Sequence, residues 1–361
     1  MSLPTTDLDA LLVALVDTES VSRHEGPLAD AVQHALQSAP HLDVGRVGNV
    51  VWARTQLSRP SRVIIAGHLD TVPVAHNLPS HTFDGPDQQP WLWGRGTVDM
   101  KGGVAVMVHL ATGLAAPTRD VTWLFYDCEE IDAASNGLGH LGAQRPDLLT
   151  GDLAVLMEPS NGHIEGGCQG TVRFAVTTSG VAAHSGRGWL GHNAIHDMAA
   201  VLDQVVSHQC DFGEVVVDGL TYREGLNVTG IAGGVAGNVI PDRCQVQINY
   251  RFAPAISAEE AVAKMRALFD GLGDFEVLDA SPGARPGLDE AAAQAFVAAV
   301  GGSVQPKYGW TDVARFSAMG TPAVNFGPGD PGLAHSDDEA VSLSQVHACA
   351  DALRRWLSSV G

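Results

Sequence analysis

The chain has 361 residues, more than a single hydrophobic core of ~250–300 residues usually organises, so two domains are expected. Hydrophobic residues make up 45% of it, which suits globular folding rather than disorder. With 21 basic against 41 acidic residues the formal charge is −20, which argues against a nucleic-acid partner and against docking on an anionic membrane.

The opening MSLPTTDLDALL has no basic or apolar leader pattern, and no apolar run approaches the ~20 residues of a membrane span, so a cytoplasmic protein is expected. The cysteines Cys128, Cys168, Cys210, Cys244 and Cys349 are scattered and form no CxxC pair. Reduced thiols are expected, and any zinc must be held by His and carboxylate.

Residues 62–66, 121–126 and 153–157 are short apolar runs, the pattern of buried parallel strands, with a helix over 103–115. Residues 172–178, 226–232, 244–252 and 275–279 read as strands, and 192–208 as an amphipathic helix. Ser257 opens another helix, with Glu260 completing a capping box. The order β-α-β-β-α-β over 172–283 is the split βαβ arrangement. After about 284 the alternation resumes, with helices over 288–300, 312–319 and 342–358 and a strand over 322–326. The expected fold is α/β, a mixed, largely parallel sheet flanked by helices and built from 1–171 and 284–361. An α+β lid or dimerisation domain is inserted at 172–283.

Chemistry-bearing residues cluster after the strands, where sites form in open α/β sheets. His68 and Asp70 follow the run RVIIA, and Asp70 can accept from the second ring nitrogen of a metal-bound His68. A structural histidine beside a turn aspartate has the same pattern. In GRGTVDMKGG the phosphate-loop spacing is missing, and the glycines let the backbone turn tightly around Asp99. A carboxylate there can place one oxygen on each of two metals, or simply cap a helix. Glu129 and Glu130 are adjacent carboxylates after VTWLFY. One can ligate a metal while its neighbour takes a proton from water; a solvated acidic loop is the alternative. Glu158 follows LAVLM, and His335 lies in a Gly-Pro loop. Together the set has two histidines and several carboxylates, which suits zinc or a related divalent ion.

The segments HLD, GRGTVDMKGG, CEE, EPS and AHSDDE resemble the co-catalytic zinc amidohydrolases. That family includes aminoacylases, glutamate carboxypeptidases, acetylornithine deacetylase and succinyl-diaminopimelate desuccinylase. YDCEE with NGLG, and GGCQGTVRF, are most similar to the actinobacterial type of the last. The resemblance implies two Zn2+ per chain, with Co2+ able to substitute: His68 and Glu158 on one ion, Glu130 and His335 on the other, Asp99 bridging. It implies Glu129 as general base and acid, Asp70 as support for His68, and a cis peptide after Asp99. It also implies a homodimer in which His184, or less well His192, serves the partner's site, with Asn238, Arg251 and Thr311 contacting substrate. The implied reaction is hydrolysis of N-succinyl-L,L-2,6-diaminopimelate; a deacetylase, a metallocarboxypeptidase or an inactive metal-binding relative are the alternatives.

Overall fold

A computed structural model describes residues 2–86 and 88–359. They divide into two compact units: residues up to 166 with 287–305 and from 315 on, and residues 167–286 with 306–314.

The first unit is an α/β layer structure. At the centre of its eight-stranded mixed sheet, Arg62–His68 runs parallel to Asp120–Tyr126 on one side and to Leu153–Leu156 on the other, and Ala323–Asn325 extends the parallel set. Antiparallel strands Asp43–Val47 and Val50–Arg54 close one edge. Side chains alternate as strand geometry requires. Val63, Ile65, Val121, Trp123, Phe125, Leu153 and Val155 all join one buried cluster with helices Leu8–Val16, Gly26–Gln37, Gly102–Gly113 and Leu343–Ser358.

The second unit contains a four-stranded antiparallel sheet in the order Gly225–Gly233, Arg243–Phe252, Gly170–Ser179, Asp274–Ser281. With helices Ala194–His208 and Ala258–Leu268 this is the split βαβ topology. Val246, Ile248, Tyr250 and Phe252 are buried against the helices, which leaves Gln245, Gln247, Asn249 and Arg251 on the opposite, polar face. The capping box forms: Glu260 N donates to Ser257 Oγ at 3.1 Å, and Ser257 N to Glu260 Oε2 at 2.8 Å. A further hairpin, Glu214–Val217 with Leu220–Arg223, turns at Asp218-Gly219, both with positive φ. Among the described residues, no helix is long and apolar enough to cross a membrane.

Candidate metal centre

Strand register explains how distant residues meet. His68 ends its strand level with Tyr126, and Ala66 pairs with Leu156. The chain therefore leaves the sheet on either side of His68, toward Glu130 in one case and Glu158 in the other. Asp99 arrives from the turn Thr97–Lys101, which leads into helix Gly102–Gly113. Its peptide bond to Met100 is cis, and Met100 Sδ accepts the His68 amide at 3.3 Å. A Cβ on Gly103 would lie 2.3 Å from the Met157 carbonyl oxygen, so only glycine lets the helix start sit against the residue before Glu158.

The two oxygens of Asp99 point to two histidines. Oδ1 is 3.0 Å from His68 Nε2, and Oδ2 is 3.2 Å from His335 Nε2. Glu130 Oε1 lies 3.1 Å from His335 Nε2, and Glu158 Oε1 lies 3.9 Å from His68 Nε2. Two ligand groups result, His68–Asp99–Glu158 and Asp99–Glu130–His335, each with its ligand atoms within 4.8 Å of one another. Asp99 belongs to both. His68 is buried, whereas the His335 side chain is 52% exposed, so the centre opens on the His335 side.

The second nitrogen of His68 decides the tautomer. Nδ1 is 3.0 Å from the Asp70 carbonyl oxygen, which can only accept. Nδ1 therefore carries a proton, which leaves Nε2 as the nitrogen whose lone pair a cation at the centre would take. The Asp70 carboxylate, expected from the sequence to support His68, lies beside the same nitrogen at 3.5 Å. Its oxygens also accept from Ser22 Oγ at 2.8 Å and from the amides of Glu129 and Glu130 at 3.0 and 3.1 Å. Asp70 thus links the His68 end of one strand to the Glu129–Glu130 segment of the next.

Electrostatics fit cations here. Burial alone would raise the Asp99 carboxyl, but hydrogen bonds from His335 and His68 hold it well below the usual range. His335 is pushed up to about 10 by its bonds to Asp99 and Glu130. Burial opposes charge on His68, yet its bonds to Asp70 and Asp99 raise it well above its ordinary value. Burial raises Glu130, with the His335 bond opposing. Clustered carboxylates draw protons onto both histidines, which is the work divalent ions would do. The donors are imidazole nitrogens and carboxylate oxygens without thiolate, so the residues fit such ions.

Supporting residues escaped the sequence reading. Glu25, fully buried, accepts the amides of Arg23 and Cys128 on Oε1 at 2.8 and 3.2 Å. It holds Cys128 at a left-handed φ of 57°, next to Glu129. Glu339, also buried, accepts the amides of Val98 and Asp99 on Oε1 at 3.0 and 3.1 Å, and Arg95 Nη1 on Oε2 at 2.9 Å. Glu25 lies far upstream in a helix-cap position, and Glu339 closes the AHSDDE segment with nothing in its residue type to show that it grips main-chain amides.

The other predicted residues belong to the second unit. His184 Nδ1 accepts the Gly186 amide at 2.9 Å, and the Ser185 amide donates to the Asn238 carbonyl at 2.9 Å, so His184 and Asn238 are neighbours. His192 pairs with Asp197; the helix cap itself is Asn193. Arg251 donates through Nε to Asn249 Oδ1 at 3.1 Å. Thr311 is buried, and its carbonyl accepts from Cys168 Sγ at 3.7 Å.

Fold and donor set define an α/β protein with clustered imidazole and carboxylate ligands fit for divalent ions. The chain belongs to peptidase family M20/M25/M40, which it matches over residues 64–359. It is 54% identical over 349 residues to the Mycobacterium tuberculosis protein provisionally named succinyl-diaminopimelate desuccinylase DapE, covering 96% of this chain and 97% of that one. It is 45% identical over 355 residues to the succinyl-diaminopimelate desuccinylase of Corynebacterium glutamicum, covering 95% and 94%. Among solved structures it resembles aminopeptidase PepT from Bacillus cereus, with TM-score 0.77, 17% identity and 98% of both chains covered. It also resembles the Bacillus subtilis YXEP protein, described as a dinuclear metal binding peptidase, with TM-score 0.70, 16% identity, and 98% and 97% covered.

Proposed function

We propose that the protein hydrolyses the amide bond of N-succinyl-L,L-2,6-diaminopimelate to succinate and L,L-diaminopimelate, using two zinc ions that cobalt can replace. The observation that carries the metal chemistry is Asp99, with one oxygen toward each histidine. The substrate rests on the near full-length similarity to the two desuccinylases.

His68 and Glu158 would hold one ion, Glu130 and His335 the other, with Asp99 shared. When bound, such ions polarise a carbonyl and make water easier to deprotonate. Glu129, half-buried and tethered through its amide to Asp70, takes the proton of the attacking water and delivers it to the leaving amine. Asp70 keeps that loop and His68 in register. His184 from a second copy donates to the developing oxyanion.

Arg251 suits a carboxylate of the substrate. It lies on the polar face of its sheet, and among the described residues only its Nε is hydrogen-bonded, leaving both Nη groups for an anion. Burial lowers its pKa, so an anionic partner would stabilise its charge. Asn238 and Thr311 are the other proposed contacts.

A second copy would cover the second unit's exposed apolar side chains, among them Val181, Trp189, Leu190, Ile231 and Val235. Gly225–Gly233 is an edge strand with one side unpaired in its sheet, a ready template for a partner. The resulting homodimer is placed in the cytoplasm, with neither nucleic acid nor membrane as partner, in keeping with the −20 charge.

The test is metal analysis joined to an acyl panel. Two zinc per chain and a preference for succinyl over acetyl substrates are expected. Faster hydrolysis of acetylornithine or of an acylglutamate would assign a sister activity and leave the metal chemistry standing.

A further inference from the structure

Glu339 lies four residues beyond His335, and both touch Asp99 from different sides. His335 Nε2 meets the side-chain oxygen Oδ2, while Glu339 Oε1 receives the backbone amides of Val98 and Asp99. The other Glu339 oxygen receives Arg95 Nη1. Arg95 is itself buried, and it donates further to the Ser336 carbonyl at 3.1 Å and, through Nε, to the Pro73 carbonyl at 3.1 Å. One guanidinium therefore joins the segment after Asp70, the His335 loop and the carboxylate that grips Asp99.

We infer that Glu339 is a positioning residue for the shared ligand: it fixes the Asp99 backbone so that both side-chain oxygens face their histidines, and so sets the affinity of both ions together. The inference rests on the two-ion reading above.

The chemistry favours this role over general packing. A carboxylate accepting two consecutive amides fixes the peptide plane between them, and charge assistance strengthens each bond. An error in the Asp99 backbone moves both oxygens at once, because one side chain carries them. Buried support of a metal ligand typically accounts for 10–100-fold in metal affinity. Glutamine keeps the size of Glu339 but cannot offer an acceptor on both sides. Its amide must turn a donor either to Arg95 or to the Val98 and Asp99 amides.

The experiment measures zinc and cobalt affinity of the full-length protein by competition with a chromophoric chelator, for wild type, Glu339→Gln, Arg95→Lys and Glu158→Gln. Circular dichroism and melting of the metal-free proteins run alongside. Expected are two ions on wild type. In Glu339→Gln both should weaken by a similar factor of about 10–100, with turnover restored at saturating metal. Arg95→Lys should show a smaller loss of the same even kind, and it carries the test if Glu339→Gln does not fold. Glu158→Gln should weaken chiefly one ion. If wild type binds two ions and the folded Glu339 and Arg95 variants bind both as tightly, the inference fails alone. A loss confined to one ion also overturns it. If wild type binds fewer than two ions, the two-ion reading falls and the inference with it.

Discussion

His335 Nε2 lies 3.1 Å from Glu130 Oε1, although the two residues are 205 positions apart in the chain. Glu130 is fixed by its amide to Asp70 and His335 by a left-handed backbone at φ 65°. Their meeting makes adjacent Glu129 and Glu130 chemically unequal. Glu130 faces a histidine and the shared aspartate, whereas Glu129 is the carboxylate proposed above for proton transfer.

The two neighbours should separate on mutation. Glu129→Gln is expected to keep both ions and lose about 10²–10⁴-fold in turnover, the usual contribution of general acid–base catalysis. Glu130→Gln should release one ion. Metal content beside kcat for the two variants checks this; retained turnover in Glu129→Gln would mean another group is the base.

Asp99→Asn should weaken both ions, because the amide has one acceptor oxygen where two are used. Equilibrium dialysis reads the result. An intact second ion in the variant would show that Asp99 does not bridge.

His184 should act across the proposed homodimer. A mixed dimer of His184→Ala and Glu129→Ala subunits then regains one working site, while each parent stays near background. Verified heterodimers without activity would place His184 in its own subunit's site or outside catalysis.

Asp120 begins the strand that leads to Glu129. Burial would raise its carboxyl, but the Leu57 and Arg59 amides and the Thr55 hydroxyl hold it below its ordinary value. A depressed folded-state pKa contributes stability above the unfolded pKa of about 3.9, and that contribution is lost as pH falls through the folded value. Asp120→Asn should therefore cost about 0.5–3 kcal/mol at neutral pH, with the gap to wild type narrowing below about pH 4. Denaturant titrations at neutral and acid pH test it; a gap independent of pH would assign the loss to packing.

Much of the fold was legible because periodicity reports burial. Residues 244–252 alternate in sequence and form Arg243–Phe252 with the expected face buried. The central strands were readable as uninterrupted apolar runs. Less legible was the segment before residue 60. Helix Leu8–Val16 is apolar at most positions and Gly26–Gln37 opens on Gly-Pro, so neither shows a clean start and stop signal in the sequence. For the site, the candidate ligands and Asp70 stand out as residue types after strands and in Gly-rich turns, whereas the main-chain contacts that position them do not. Asp70 supports His68 chiefly through its main chain, and Glu25 and Glu339 act on backbone amides. Main-chain contacts of this kind leave no residue-type signature, so they appear only once the loops are in place.

The most direct measurement of the whole account is hydrolysis of N-succinyl-L,L-2,6-diaminopimelate by wild type and Arg251→Ala, each stripped with a chelator and reloaded with zinc. Stripped wild type should be inactive and reloaded wild type active. Arg251→Ala should reload the same zinc yet lose roughly 10–100-fold in kcat/KM on the succinyl substrate, the scale of a lost hydrogen bond to a charged group. Activity that survives stripping would contradict the metal chemistry. Full activity in zinc-loaded Arg251→Ala would contradict the assignment of the substrate carboxylate to Arg251.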